Sequence, residues 1–249
     1  MTAGRMEEAY RIEGAERRGR WIVTCDHATN RVPDWVAGGD LGLPASDMGR
    51  HIAYDIGALG VSETLAEALD SPMVSSRFSR LVIDPNRGEQ DPTLLMRLYD
   101  GTLIPGNRHA DDADLTRRLE RLYRPYHDAI AQTVASRARP VYCAIHTFTP
   151  QLRGRGPRPW EVAILYAEDA RLAAPFVAAC RAEGWLTGDN QPYTGDLPGD
   201  SVDRHAVQRG IPNVLIEIRQ DLVATPSQQR EWGLRLAPVL QTVLADTGL

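Results

Sequence analysis

The chain of 249 residues is 43% hydrophobic and 24% charged, the balance of a globular protein with a sizeable buried core. Its 28 basic residues are all arginine, so chemistry that needs a lysine is excluded: no Schiff base, no pyridoxal phosphate anchor, no P-loop lysine and no Ser-Lys dyad. A net charge of −5 argues against a nucleic-acid or anionic-membrane partner, and no apolar run approaches the roughly 18–20 residues of a membrane span.

Residues 1–20 read as a polar lead-in. They are charged at Arg5, Glu7, Glu8, Arg17 and Arg18 and hold no apolar core of a signal peptide. The three cysteines, Cys25, Cys143 and Cys180, show no C-x-x-C spacing. They read as buried thiols, and the expected compartment is a reducing cytoplasm.

In chain order, Trp21–Cys25 (WIVTC) is a short buried strand ending in Asp26-His27. Residues 46–69 have helical spacing, weakened in the middle by Gly57 and Gly60, so two pieces are possible. Residues 73–78 and 81–83 read as strands, and 88–114 as a long loop of the kind that is often functional. The spacing predicts a helix over 115–134, kinked by Pro125. Strands follow at 141–145, running into His146, and at 162–166. Then come an Ala-rich helix over 171–183, a short helix over 201–209 closed by Gly210, and a strand over 213–218. Thr225-Pro226-Ser227-Gln228 is a capping box that opens a helix running to about residue 245.

Alternating strands and helices predict one α/β domain over 21–249, a three-layer αβα sandwich with a mostly parallel mixed sheet. Ligands in such folds collect beyond the carboxyl ends of the strands. Asp26-His27, Asp84, His146 and Glu217-Arg219 are expected there.

Two neutral imidazoles converging at such an edge suit a zinc-type ion, although each of His27 and His146 is also an ordinary way to end a strand. Glu217 sits inside the apolar run Val214-Leu215-Ile216-Glu217-Ile218. A carboxylate there is costly to bury unless it is functional or paired, and Arg219 on the same face is the pairing alternative. Beside an activated water its role is general base and then proton donor. Asn86 and Arg87 follow the run SRLVID; an arginine fork matches a carboxylate, while Asp84-Pro85-Asn86 is equally a turn former.

Six motifs occur in order over residues 21–222. They are Cys25-Asp26-His27-Ala28-Thr29-Asn30-Arg31-Val32-Pro33, Tyr54-Asp55-Ile56-Gly57-Ala58, SRLVIDPNR (79–87), Tyr123-Arg124-Pro125-Tyr126-His127, Ile145-His146-Thr147-Phe148-Thr149-Pro150 and IEIRQDL (216–222). Together they resemble the N-formylglutamate amidohydrolase family. The resemblance implies a phosphorylase/hydrolase-like fold related to zinc-dependent exopeptidases. The implied reaction is hydrolysis of N-formyl-L-glutamate, a small acidic N-acyl amino acid, to formate and L-glutamate, the last step of one histidine degradation route. It also implies a divalent metal, zinc by analogy, held by His27 and His146, with Glu217 acting on water and Asn86-Arg87 clamping a carboxylate. Carboxypeptidase relatives take a second ligand from His-x-x-Glu, but here that position is Asn30. Asp55 is the preferred third ligand, because cell-wall amidases of similar fold draw a carboxylate from the helix after the first histidine; pairing of His51 with Asp55 at i,i+4 is the alternative. His127 reads as a structural or supporting residue. Arg80 or Arg219 would steady the oxyanion or anchor the second carboxylate, and the 88–114 loop would close over the site. Two alternatives stand beside this reading: a hydrolase of another N-acyl or N-carbamoyl amino acid, and a non-catalytic binder of an acidic metabolite.

Overall fold

The structure is a computed structural model and describes residues 9–249; residues 1–8, part of the polar lead-in, lie outside the described residues. Its strands are β1 (Tyr10–Glu13), β2 (Trp21–Cys25), β3 (Met73–Ser76), a small hairpin of β4 (Leu98–Tyr99) and β5 (Thr102–Leu103), β6 (Val141–Phe148), β7 (Val162–Leu165), β8 (Thr187–Asp189) and β9 (Asn213–Arg219). Seven of them form one mixed sheet in the order β1-β3-β2-β6-β9-β7-β8. The central four, β3, β2, β6 and β9, are parallel, whereas β1 and β7 run antiparallel to their inner neighbours. The chain leaves β2 for β3 on one side and returns to β6 on the other. The carboxyl ends of β2 and β6 therefore flank the point where strand order reverses, which is where α/β sheets place ligands.

The two-residue period of a strand sorts the core into two layers. Ile22, Tyr142, Ala144 and Leu215 face one side, where they pack with Tyr123, Tyr126 and Ile130. Val23, Cys143, Ile145, Val214 and Ile216 face the other, against Val61, Leu65, Phe176, Trp232 and Leu236. Each fully buried aliphatic side chain contributes about 1.5–3 kcal/mol, so a central strand buried on both faces is strongly held. His146 and Glu217 fall on the first face, in phase with Ala144 and Leu215.

The helices depart from the expected pattern in ways that matter for the site. Residues 46–69 divide into α1 (Ala45–Met48) and α2 (Ala58–Ala68), with turns between them. His51 and Asp55 thus share no helix face, and the i,i+4 pairing is corrected: His51 faces Asp100 at 3.4 Å. Gly57 opens α2 at φ 82°, and a Cβ there would lie 2.3 Å from the Val223 carbonyl oxygen, so only glycine permits this approach. Leu81, Val82 and Ile83 are fully buried but form a turn rather than a strand, so their apolar character reflects core packing alone.

The 88–114 stretch is packed down. Asn107 is buried and donates its side-chain amide to the carbonyls of Leu81 and Met96 at 2.7 and 2.8 Å. The long helix is α3 (Asp112–Arg118), a wide π turn (Leu119–Tyr123) and α4 (Arg124–Ala135). The π turn lies just before Pro125, and the Arg124 N–H bonds Leu119 O, five residues back. A widened turn is one way to absorb the proline ring and its missing N–H without breaking the helix. Beyond it lie α5 (Ala173–Ala182), α6 (Ser201–His205) and α7 (Pro226–Thr247), the last opened by the expected Thr225–Gln228 capping box. Besides the short β4–β5 hairpin inside the expected 88–114 loop, two strands of the main sheet escape the sequence pattern: β8 is only three residues long, and β1 lies in the polar lead-in as a half-exposed edge.

Candidate metal centre

His27 is the second residue past the end of β2, and His146 lies two residues before the end of β6. Their rings meet edge to face with centroids 5.0 Å apart. Asp55 reaches them from the turn before α2, where its backbone N–H bonds the His27 carbonyl at 2.9 Å. Its Oδ2 lies 3.2 Å from His27 Nδ1 and 2.9 Å from His146 Nδ1. The three ligand atoms fall within 4.8 Å of one another, and all three residues are buried.

The far nitrogen of each ring is held by its own carboxylate. His27 Nε2 donates to Asp84 Oδ1 at 2.7 Å, and His146 Nε2 donates to Asp26 Oδ2 at 3.1 Å. These bonds leave Nδ1 of each ring directed at Asp55, the carboxylate–histidine arrangement that orients metal ligands. The braces are themselves braced. Asp26 Oδ1 accepts the hydroxyls of Tyr126 at 2.7 Å and Ser201 at 2.8 Å. Asp84 Oδ2 accepts Arg80 Nε and Nη2 at 3.1 and 2.8 Å.

The charge in this cage favours a cation. Burial opposes ionisation of Asp26, but the hydrogen bond and charge of His146, with help from His27 and Tyr126, lower its pKa to about 2. Burial also opposes ionisation of Asp55 and Asp84. The histidines hold Asp55, and Arg80 chiefly holds Asp84, below the usual carboxylate range. His146 is itself desolvated, yet its bonds to Asp26 and Asp55 raise its pKa well above the ordinary value. With both rings in the neutral form that metal ligation requires, three buried carboxylates (Asp26, Asp55, Asp84) face one guanidinium (Arg80), an excess of two negative charges. A divalent ion matches that excess. Donor separations of 2.9 and 3.2 Å are close to the roughly 3.3 Å edge of a tetrahedron with zinc-type bonds near 2.0 Å. The His27-Asp55-His146 cluster can therefore hold a metal ion.

The cluster opens into a cavity of about 500 Å³ that also takes in Arg80, Asn86, Arg87, Tyr99, Tyr193, Asp200 and Glu217. Glu217 is opposite His146 in the β6–β9 register and is partly exposed to the cavity. Burial and the nearby Asp55 raise its pKa to about 7, against the opposing pull of His146 and Arg80. Asn86 and Arg87 leave the turn formed by Asp84-Pro85-Asn86, where Asp84 Oδ1 accepts the Asn86 N–H at 2.9 Å. The turn and the expected carboxylate clamp share Asn86. Asn86 Oδ1 accepts the Ser201 N–H at 3.2 Å, which leaves its amide N–H groups as donors. Arg87 is steadied by Nε to Thr93 at 3.0 Å and Nη1 to the Asn86 carbonyl at 2.7 Å.

The opposite wall is the 190–200 segment. Asn190 Oδ1 ties one end by accepting the N–H groups of Tyr166 and Gly195 at 3.0 and 3.2 Å. At the other end Asp200 caps α6 through the Asp203 N–H at 2.8 Å. Asp200 is buried, which raises its pKa to about 7.

Three expected site residues lie elsewhere. Arg219 is corrected as a substrate or oxyanion ligand and as the partner of Glu217. It pairs with Asp221 at 2.7 Å and donates to the carbonyls of Pro159 and Trp160 at 3.1 Å, because this segment crosses the end of β9 and takes up its fork. Asn30 is corrected as a ligand: its amide bonds the Met48 carbonyl at 2.8 Å, outside the cluster. His127 Nδ1 pairs with His205 Nε2 at 2.9 Å beneath the site, in keeping with a structural role. Arg80 lines the cavity, but its fork is committed to Asp84 and, at 3.4 Å, to Asp55. Sequence reasoning placed Asp26 and Asp84 at the site edge without giving them roles. An aspartate ending a wholly apolar run is the signal that a partner must exist. Tyr126, Ser201 and the 190–200 wall carried no such signal.

The model of the N-formylglutamate amidohydrolase family matches residues 19–224. An Agrobacterium tumefaciens gene product of known structure is 32% identical over 99% of each chain, with a TM-score of 0.92. An N-formylglutamate amidohydrolase from Ralstonia eutropha is 18% identical over 96% of this chain and 99% of its own, at a TM-score of 0.74, and shares the fold. No curated protein sequence matches significantly. With the family match spanning most of the sequence and a relative aligned from end to end, the chain belongs to the N-formylglutamate amidohydrolase family.

Proposed function

We propose that the chain is a metal-dependent deformylase, cleaving the amide of an N-formyl amino acid of the N-formylglutamate type to formate and the free amino acid. On N-formyl-L-glutamate itself this is the closing reaction of a histidine degradation route. The observation that carries the reading is the pair of braced imidazoles meeting Asp55 at the floor of a cavity that also holds Glu217. A zinc-type ion on His27, Asp55 and His146 supplies polarisation of the formyl oxygen and acidification of water.

The chain's own residues do the rest. Glu217 Oε takes a proton from the water whose oxygen bonds to the formyl carbon. It returns the proton to the amino-acid nitrogen as the carbon–nitrogen bond breaks, so no net proton is left on the protein. A carboxyl poised near pH 7 is suited to both halves of that transfer. The Arg87 fork and the Asn86 amide hold the α-carboxylate. Arg80 is a positioning residue, because its guanidinium fixes Asp84 and thereby His27.

The test is formate release from N-formyl-L-glutamate and other N-formyl amino acids by zinc-loaded protein. Absence of formate from all of them would overturn the proposal. A second reading, a different N-acyl or N-carbamoyl amino acid, is favoured by one observation: two carboxylates need two anchors, and among the described residues that line the cavity only Arg87 has a guanidinium edge to spare.

A further inference from the structure

N-formylglutamate carries two carboxylates, and the cavity has two guanidinium groups, Arg80 and Arg87. Arg80 spends Nε, Nη2 and Nη1 on Asp84 and Asp55. Pulling it onto a substrate would strand two buried carboxylates, at a cost of several kcal/mol. Arg158 is not among the lining residues and spends its guanidinium on the Thr149 carbonyl at 3.1 Å, the Tyr193 hydroxyl at 2.8 Å and the faces of Phe148 and Tyr193. His51 is half-buried, and desolvation lowers its pKa, so it adds no fixed charge. The rim instead presents Asp196, an exposed carboxylate.

The cavity surface next to Glu217 is apolar. Leu215 precedes Glu217 by two residues on the same face of β9 and pairs directly with Leu165 of β7. Both leucines line the cavity beside the catalytic carboxylate. A substrate held through its α-carboxylate at Arg87, with its formyl group at the His27-Asp55-His146 cluster, meets leucine and an anionic rim rather than a second cation.

Resting on the deformylase reading, we infer that the side-chain subsite takes an uncharged aliphatic side chain. The substrate class is N-formyl monocarboxylic amino acids, and the glutamate side chain is disfavoured. An aliphatic side chain laid against Leu165 and Leu215 leaves water for an apolar surface, whereas a second carboxylate beside Asp196 is a like-charge contact.

Two measurements test this. The first compares kcat/KM of the zinc-loaded full chain on N-formyl-L-leucine, N-formyl-L-glutamine and N-formyl-L-glutamate; the last two differ essentially in charge. Both neutral substrates should exceed glutamate by about tenfold or more, and replacing the rim carboxylate in Asp196→Arg should narrow that ratio. A wild-type preference for N-formyl-L-glutamate overturns the inference. The second measurement needs no turnover: N-formyl-L-leucine and N-formyl-L-glutamate are titrated into zinc-loaded Glu217→Gln protein, and the leucine compound should bind more tightly. Formate from none of the substrates overturns the deformylase reading, while the order of the two Kd values still decides the side-chain class. Tighter binding of the glutamate compound overturns the inference on its own.

Discussion

Tyr126 and Asp26 stand 100 positions apart in the chain, yet the tyrosine hydroxyl donates to Asp26 Oδ1 at 2.7 Å. The other oxygen of that carboxylate holds His146. A helix under the sheet therefore sets the orientation of a metal-ligand candidate without touching it. Tyr126→Phe should weaken zinc affinity by about tenfold, since supporting residues of this kind typically matter by 10–100-fold. Ser201 still bonds Asp26, so the fold should survive. Competition with a chromophoric chelator measures the change, and unchanged affinity would contradict the bracing role.

Glu217→Gln should leave zinc content unchanged and reduce turnover by roughly 10²–10⁴-fold. Only the ionised carboxylate accepts a proton, so kcat/KM should rise with pH through about 7 and flatten above it. The same shift has a consequence for stability. The folded-state pKa is raised from 4.5 to about 7, so the folded chain holds this proton more tightly than the unfolded chain does. The stabilising contribution of the protonated carboxyl is lost as pH rises across that window. The glutamine variant should thus gain stability over the parent at pH 8 and lose that advantage by about pH 4.5, which urea titrations at the two pH values would reveal.

Zinc uptake should release protons. In the metal-free chain Asp26 and Asp55 outweigh burial and raise the His146 pKa, so the ring favours its protonated form. That charge stabilises the folded chain below the ordinary histidine pKa of 6.5, and the benefit disappears as pH rises through the folded value. Metal binding needs the neutral ring. Calorimetric titration of zinc at pH 7 in buffers of different ionisation enthalpy should show an apparent heat that varies with the buffer. A buffer-independent heat would exclude the coupling.

Arg87→Lys keeps the charge but loses the planar fork that Thr93 and the Asn86 carbonyl hold in place. KM for the formylated substrate should rise roughly tenfold while kcat changes little, in line with losing one charge-assisted hydrogen bond. Steady-state kinetics decides it. An unchanged KM would remove Arg87 from the binding site.

Arg80→Met should destabilise the chain by about 3–5 kcal/mol, because it leaves Asp84 and Asp55 buried without their guanidinium. The urea midpoint is the readout. A midpoint equal to the parent's would mean that the aspartates find other compensation.

The sequence was most informative where one residue had to satisfy two demands at once. Trp21–Cys25 and the strand through His146 were legible because wholly apolar runs stopped at histidines. The capping box at Thr225 was legible because local chemistry alone dictates it. Residues 81–83 were misread because burial, not pairing, made them apolar. Edge strands β1 and β8 were missed because neither is apolar enough to stand out. At the site, Asp55 was reached by resemblance rather than by pattern, and the helix expected to carry it is absent at that point. The commitments of Arg80 and Arg219 depend on which backbone passes nearby, and no spacing rule contains that information.

The 190–200 wall is fastened at Asn190 and at Asp200 by its own side chains. The groups proposed to carry the reaction follow β2, lie on β6 and β9, or come from the turns at 55 and 79–87. Reactivity and taste thus overlap chiefly at β9, which carries both Glu217 and Leu215. Exchanging the wall between relatives should transfer the choice of acid while leaving the reaction itself in place, a modular route by which one scaffold comes to serve several metabolites.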